Sequence, residues 1–158
     1  MDKPLQNTQI IMDSFRRIVQ SLRHSSNQCV KFSGLTGAQF FVLKHIKLKK
    51  NLSIKELAAL TYTHQSSVSE VVSKLESMDL VKRNRSANDA RRVELSITDK
   101  GKAKLKSSLM TAQENLINVL QNFSLGEINK LAELLTKLIN KSGLADKEAH
   151  LFFEDINK

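Results

Sequence analysis

A chain of 158 residues has the size of one domain and can bury a moderate core, and with only five Gly and one Pro it points to a mostly helical protein. The formal charge of +9, from 25 Lys and Arg against 16 Asp and Glu, favours polyanionic partners, nucleic acid first, although a solvated basic surface would read the same way. One cysteine excludes an intrachain disulfide. With neither a signal-peptide core nor an apolar run of about 18 residues, a cytoplasmic protein without membrane contact is expected.

From Gln6 to His24, Ile10, Ile11, Phe15, Ile18, Val19 and Leu22 recur at three- and four-residue spacing and predict a helix with one apolar face that needs cover. Ser25 to Ser33 is polar and reads as a connector. Thr36 with Gln39 forms a capping-box pattern that opens a helix bearing Phe40, Phe41, Leu43 and Ile46, ended by the basic loop of Lys47, Lys49, Lys50 and Asn51. Ser53 with Glu56 repeats the pattern, and Leu57, Ala58 and Leu60 give a short helix stopping near Tyr62. After a turn at Tyr62-Thr63-His64, residues Gln65 to Ser77 place Val68, Val71, Val72 and Leu75 on one side and Ser66, Ser67, Ser69, Glu70, Ser73 and Lys74 on the other. A helix whose outer face is small and hydrogen-bonding can approach base edges and phosphates closely, so it is read as a recognition helix, with His64 and Gln65 at its leading end.

Leu80, Val81 and Arg83, then Val93, Leu95 and Ile97, flank the polar stretch Asn84 to Arg92 and predict a two-stranded hairpin. Its cations Lys82, Arg83, Arg85, Arg91 and Arg92 face a single carboxylate, Asp89. Basic groups on a narrow hairpin suit a minor groove. Two short helices, a tight turn and a basic hairpin together describe a winged helix-turn-helix.

Thr98 is expected to cap one long helix whose stripe runs through Leu105, Leu109, Ala112, Leu116, Val119, Leu120 and Phe123. Lys100, Lys102, Lys104 and Lys106 in its first turns oppose the macrodipole, and either DNA backbone or plain solvation accounts for them. Ser124 with Glu127 opens a helix bearing Leu125, Ile128, Leu131, Leu134, Leu135, Leu138 and Ile139, ended by Gly143. A last short helix over 144–157, with Leu144, Ala149, Phe152, Phe153 and Ile156, completes the reading.

The segment from Leu35 to Gly101 resembles the MarR family of bacterial transcriptional regulators. Leu35-Thr36 with Gln39, Glu56-Leu57-Ala58, Ser66-Ser67-Val68-Ser69, Leu75-Glu76, and Asp89-x-Arg91 followed by Ile97-Thr98-x-x-Gly101 match in order and spacing without a gap. The resemblance implies a homodimer whose first and last helices interlock across a two-fold axis, a division into 1–34, 35–101 and 102–158, and binding of double-stranded DNA at a pseudo-palindromic operator. It also implies that Arg91 reaches a minor groove from the wing tip while Asp89 helps hold it, leaving Arg85 and Arg92 to phosphate or solvent, with Arg83 a further candidate on the wing. Asp79 stands where the family commonly has glycine, and the left-handed turn there is expected to survive at modest cost; Glu70 stands where the family often has arginine, so the family's half-site preference does not transfer.

Neither a phosphate-binding glycine loop, a nucleophile elbow, Cys-x-x-Cys nor His-Glu-x-x-His occurs, so neither an enzyme nor a cofactor is expected. His24, Cys29 and His45 are a weak metal set, and residues 99–123 lack the histidines that zinc-sensing relatives carry. Cys29, placed after the first helix, is read as a plain thiol. The resemblance further implies a small aromatic or anionic effector, with Phe15, Arg16, Phe41 and Leu109 as candidate lining. The expected function is a sequence-specific DNA-binding regulator, a repressor or less often an activator; the alternative is a winged-helix protein-interaction module without specific DNA binding.

Overall fold

The computed structural model describes residues 3–87, 89, 91–105 and 109–151. In chain order the elements are α1 (Lys3–Ser33), α2 (Gly37–Leu48), α3 (Ile54–Leu60), α4 (Gln65–Ser77), β1 (Val81–Arg85), β2 (Val93–Ile97), α5 (Asp99–Lys104), α6 (Ala112–Gln121) and α7 (Leu125–Lys141). This is a mostly helical winged helix-turn-helix with a small antiparallel wing.

Three capping boxes read from the sequence set helix starts. The Thr36 hydroxyl accepts from the Gln39 N–H at 3.2 Å while the Gln39 side chain accepts from the Thr36 N–H at 3.1 Å. Ser53 with Glu56 and Ser124 with Glu127 do the same for α3 and α7. Helix α2 is the centre of the core: Phe40, Phe41, Val42 and Leu43, four consecutive residues, are all buried. No single neighbour can cover four successive positions of a helix, and α1, α3, α4 and β2 all pack on it.

Helix α4 buries Val68, Val71, Val72 and Leu75 against this core. Asp79 takes a left-handed φ of 59° after it, the conformation a glycine would supply and an aspartate tolerates. The chain then enters β1, which pairs with β2 from Val81↔Ile97 to Arg85↔Val93. The wing is not free-standing. Leu95 is fully buried, and its N–H donates to the Leu52 carbonyl at 2.8 Å, which ties β2 to the loop before α3.

The structure departs from the sequence reading in three places. Residues 25–33 are not a connector: α1 runs through them, and the turn comes at Gly34, with φ +73°. Their polar groups are met by tertiary partners, since the Ser25 hydroxyl accepts from the Ala112 N–H and the Ser26 hydroxyl from the Gly37 N–H. Cys29 consequently lies within α1, buried, rather than after it. The long helix expected from Thr98 is two helices: Thr98 caps α5, which ends at Lys104, and Thr111 with Glu114 forms a further capping box that starts α6. Residues 144–151 are turn and coil rather than the start of a helix. Phe152, Phe153 and Ile156 lie outside the described residues, as does Lys106.

Gly101, buried where α5 crosses the end of β2, has no room for a side chain: an added Cβ would stand 2.3 Å from the Leu80 carbonyl oxygen and 2.8 Å from Ile97 Cγ1. The obstacle is backbone, which yields little. Gly101→Ala should lower stability by about 1–3 kcal/mol. Urea unfolding measures it, and a midpoint equal to wild type would show that α5 shifts without cost.

Candidate nucleic-acid interface

Helix α4 presents its outer face as expected in most positions. Gln65, Ser66, Glu70, Ser73 and Lys74 are exposed and Ser69 is half-buried. His64 occupies the N-cap position without a side-chain cap, so the first N–H groups of the helix have no side-chain acceptor from that residue. Ser67 differs from the reading: it is buried and turns away from the outer face, its hydroxyl donating to the Ala149 carbonyl at 3.3 Å. The segment carrying Ala149 reaches further along the helix. The Ser66 hydroxyl donates to Glu148 at 3.1 Å, His150 Nδ1 lies 3.7 Å from the Glu70 carboxylate, and Leu151 is buried in the core. Sequence periodicity contained no signal for this contact between positions 82 residues apart.

The wing arginines divide into two kinds. Arg83 donates to Glu76 and to the Ser73 hydroxyl, both at 3.1 Å, which fastens β1 to α4. Arg92 donates through Nη2 to both Glu56 carboxylate oxygens, at 2.8 and 3.1 Å, and to the Asn51 carbonyl at 3.1 Å, while its Nε lies 3.4 Å from Glu94. Among the described residues, the guanidinium groups of Arg85 and Arg91 have no hydrogen-bond or ion-pair partner. Asp89 organises the tip through the backbone: its carboxylate accepts from the Arg91 N–H at 2.9 Å and its carbonyl from the Arg92 N–H at 2.9 Å.

Glu56 was legible as a cap, yet its second role was not. Hydrogen bonds from the Ser53 N–H and hydroxyl, then the Arg92 charge, hold its carboxyl below the usual glutamate range. Two lysines of α5 also find protein partners. Lys100 donates to the Met78 carbonyl at 2.8 Å and Lys102 to Asp99 at 2.8 Å.

A sequence model of the MarR family matches residues 33–92, from the end of α1 to the end of the wing's tip loop. The transcriptional regulator MgrA of Staphylococcus aureus is 30% identical over 118 residues, which cover 75% of this chain and 79% of MgrA. The chain belongs to the MarR family. The transcriptional repressor MdtR of Bacillus subtilis is 25% identical over 135 residues, covering 85% of this chain and 87% of MdtR. Among solved structures, the transcriptional regulator BldR from Sulfolobus solfataricus superposes with a TM-score of 0.53 at 28% identity, over 89% of this chain and 99% of BldR. As a MarR-family protein it is a DNA-binding transcription regulator of the winged-helix type.

Of the four residues expected to line an effector cavity in this MarR-family chain, Phe41 borders a pocket of about 320 Å³ together with Lys44, His45, Met110 and Glu114, and Lys44 donates to the Leu109 carbonyl. Arg16 pairs with Asp13 on an exposed turn of α1, and Phe15 is half-buried. A second, open groove of about 540 Å³ lies between the end of α3 and the terminal helices, lined by Tyr62, Ile117, Leu120, Phe123, Leu125 and Ile128. Cys29 is sealed beside the half-buried Lys44–Glu114 pair, 2.9 Å apart, and burial followed by the Glu114 charge pushes its thiol pKa up. Among the described residues no three His, Cys, Asp or Glu side chains gather as a metal site requires, and no helix is long and apolar enough to cross a membrane.

Because the Glu56 carboxyl is held below its ordinary 4.5, the stability it adds is complete above that pH and drains as the pH falls through the depressed value. Glu56→Gln keeps a capping acceptor without the titration. Its unfolding midpoint should therefore fall less steeply than wild type between neutral pH and about pH 3. Parallel curves would mean that the carboxylate contributes no net linkage.

Proposed function

We propose that the protein is a homodimeric regulator, acting as a repressor, that occupies a pseudo-palindromic operator by placing α4 in successive major grooves with the wings alongside. The observation that supports this best is the pairing of a small polar helix face, Ser66, Ser69, Glu70 and Ser73, with a hairpin whose Arg85 and Arg91 have no charge partner among the described residues. Phosphate contacts by such arginines would set register and affinity, and the helix face would supply discrimination. Residues 148–150 meet Ser66, Ser67 and Glu70 in the single chain, so this segment has to withdraw before the helix enters a groove.

Dimerisation is supported by apolar surface left without cover. Helices α6 and α7 bury no residue, and Leu134, Leu135, Leu138 and Ile139 of α7 stand exposed together with Ile10, Ile11 and Met12 of α1. Faces of this extent on a soluble chain mark interaction surfaces. A second copy with the same stripes is the partner whose surface matches. A small aromatic or anionic effector would take the groove beside Tyr62, where occupancy bears on the end of α3 and hence on α4.

Sedimentation at micromolar concentration should give a dimer; a monomer would overturn the assembly. Ser66→Ala, Ser69→Ala and Glu70→Ala should each change the ratio of specific to non-specific affinity by about 1–3 kcal/mol where the residue meets a base edge. Retention of the wild-type ratio in all three would favour the protein-interaction alternative. Arg91→Ala should weaken binding and flatten the dependence of log K on log salt by roughly two per dimer, with the melting temperature unchanged. An unchanged slope and affinity would remove the wing tip from the interface.

A further inference from the structure

The wing needs a fixed angle to the recognition helix if Arg91 is to follow a groove, yet a two-stranded ribbon is stiff only where something holds it. Backbone pairing holds the base: Leu95 donates to Leu52, well below the tip. At the tip itself the holding group is Arg92. Its carbonyl accepts from the Ser86 N–H at 2.9 Å, its own N–H donates to Asp89, and its guanidinium crosses to α3 to engage Glu56 and the Asn51 carbonyl. Arg92 is thus the residue at which the tip loop closes and at which that loop is tied to the helix-turn-helix. Arg91 is its immediate neighbour, so fixing Arg92 fixes the backbone from which the uncommitted guanidinium projects.

The carboxylates around Arg92 argue against a phosphate contact by the same side chain. Both Glu56 oxygens engage Nη2 and Glu94 approaches Nε, so two carboxylates already stand against the guanidinium and would repel a phosphate. We propose that Arg92 is a positioning residue that clasps the wing tip to the N-terminal turn of α3 through Glu56, while Arg91, beside it, is the group presented to DNA. The proposal rests on the DNA-binding reading above and assigns the two adjacent arginines opposite tasks.

The two roles differ in the sign of one substitution. If Arg92 contacts phosphate, Glu56→Gln removes a repelling charge and frees the arginine, so DNA binds more tightly. If Arg92 is a clasp, Glu56→Gln loosens the tip and DNA binds more weakly, although glutamine still serves the α3 cap. The full-length dimer and a duplex selected by the wild-type protein from a random-sequence pool provide the test, with Kd followed across about 50 to 200 mM salt.

Arg92→Gln and Glu56→Gln are each expected to weaken binding about threefold to tenfold, with the wild-type salt slope, and the double variant to be no weaker than either single one. Arg91→Ala supplies the signature of a contact, a flattened slope. Tighter binding or unchanged Kd in Glu56→Gln overturns the clasp, and so does a slope in Arg92→Gln flattened like that of Arg91→Ala. Should Arg92→Gln fail to fold, the sign of the Glu56→Gln effect still decides. A wild-type protein that selects no duplex brings down the DNA-binding reading and the clasp with it; tight wild-type binding with either overturning pattern brings down the clasp alone.

Discussion

The burial of Phe40 to Leu43 on every side of α2 is the constraint from which the DNA-reading half follows. Burying a large apolar side chain is worth roughly 1.5–3 kcal/mol, and four in succession are too much surface to leave uncovered. Cover on one side comes from α4, which turns Val68, Val71, Val72 and Leu75 inward and thereby aims Ser66, Glu70 and Ser73 outward. Leu95 of β2 is buried in the same cluster. The pose of α4 and the root of the wing are thus two results of one packing problem.

Charge is organised on a different principle. The wing stretch contains five cations, but the structure commits Arg83 to Glu76 and Ser73, and Arg92 to Glu56 and Asn51. Exposed ion pairs such as these contribute little to global stability, commonly below about 1 kcal/mol. Their value lies in geometry, since a multidentate guanidinium restricts direction as well as distance. A net charge read from a sequence counts such groups as available; the fold withdraws some of them from the field that a polyanion meets.

The terminal helices pose the opposite situation. Helices α6 and α7 have strong apolar stripes and bury no residue in the single chain, whereas α1 buries Leu22, Ser26, Cys29 and Ser33 towards its C-terminal half and leaves Ile10 and Ile11 exposed towards the other. One helix therefore serves two masters: its end packs on α2 and its beginning awaits cover. The core that α2, α3, α4 and the wing share is built within the single chain.

Local chemistry was enough to determine the helix starts at Thr36, Ser53, Thr98 and Ser124, the limits of α4 and the hairpin from Val81 to Ile97, because caps, periodicity and turns act within a few residues. The polar run Ser25 to Ser33 was misjudged for the same reason. Its serines look like a loop until Gly37 and Ala112, distant in sequence, supply the N–H groups they accept from. Thr111 and Glu114 lay inside an uninterrupted apolar stripe, so the stripe outweighed a legible cap. The small polar face of α4 and the arginines at the wing could be read from their order alone, yet that Arg92 is the one tethered depends on Glu56, 36 residues away in sequence. The contact of Glu148 with Ser66 likewise has no local signature. Sequence determined the elements and the residue types they display; tertiary structure decided the partners, because long-range ion pairs and hydrogen bonds form only where packing brings remote segments within about 3 Å.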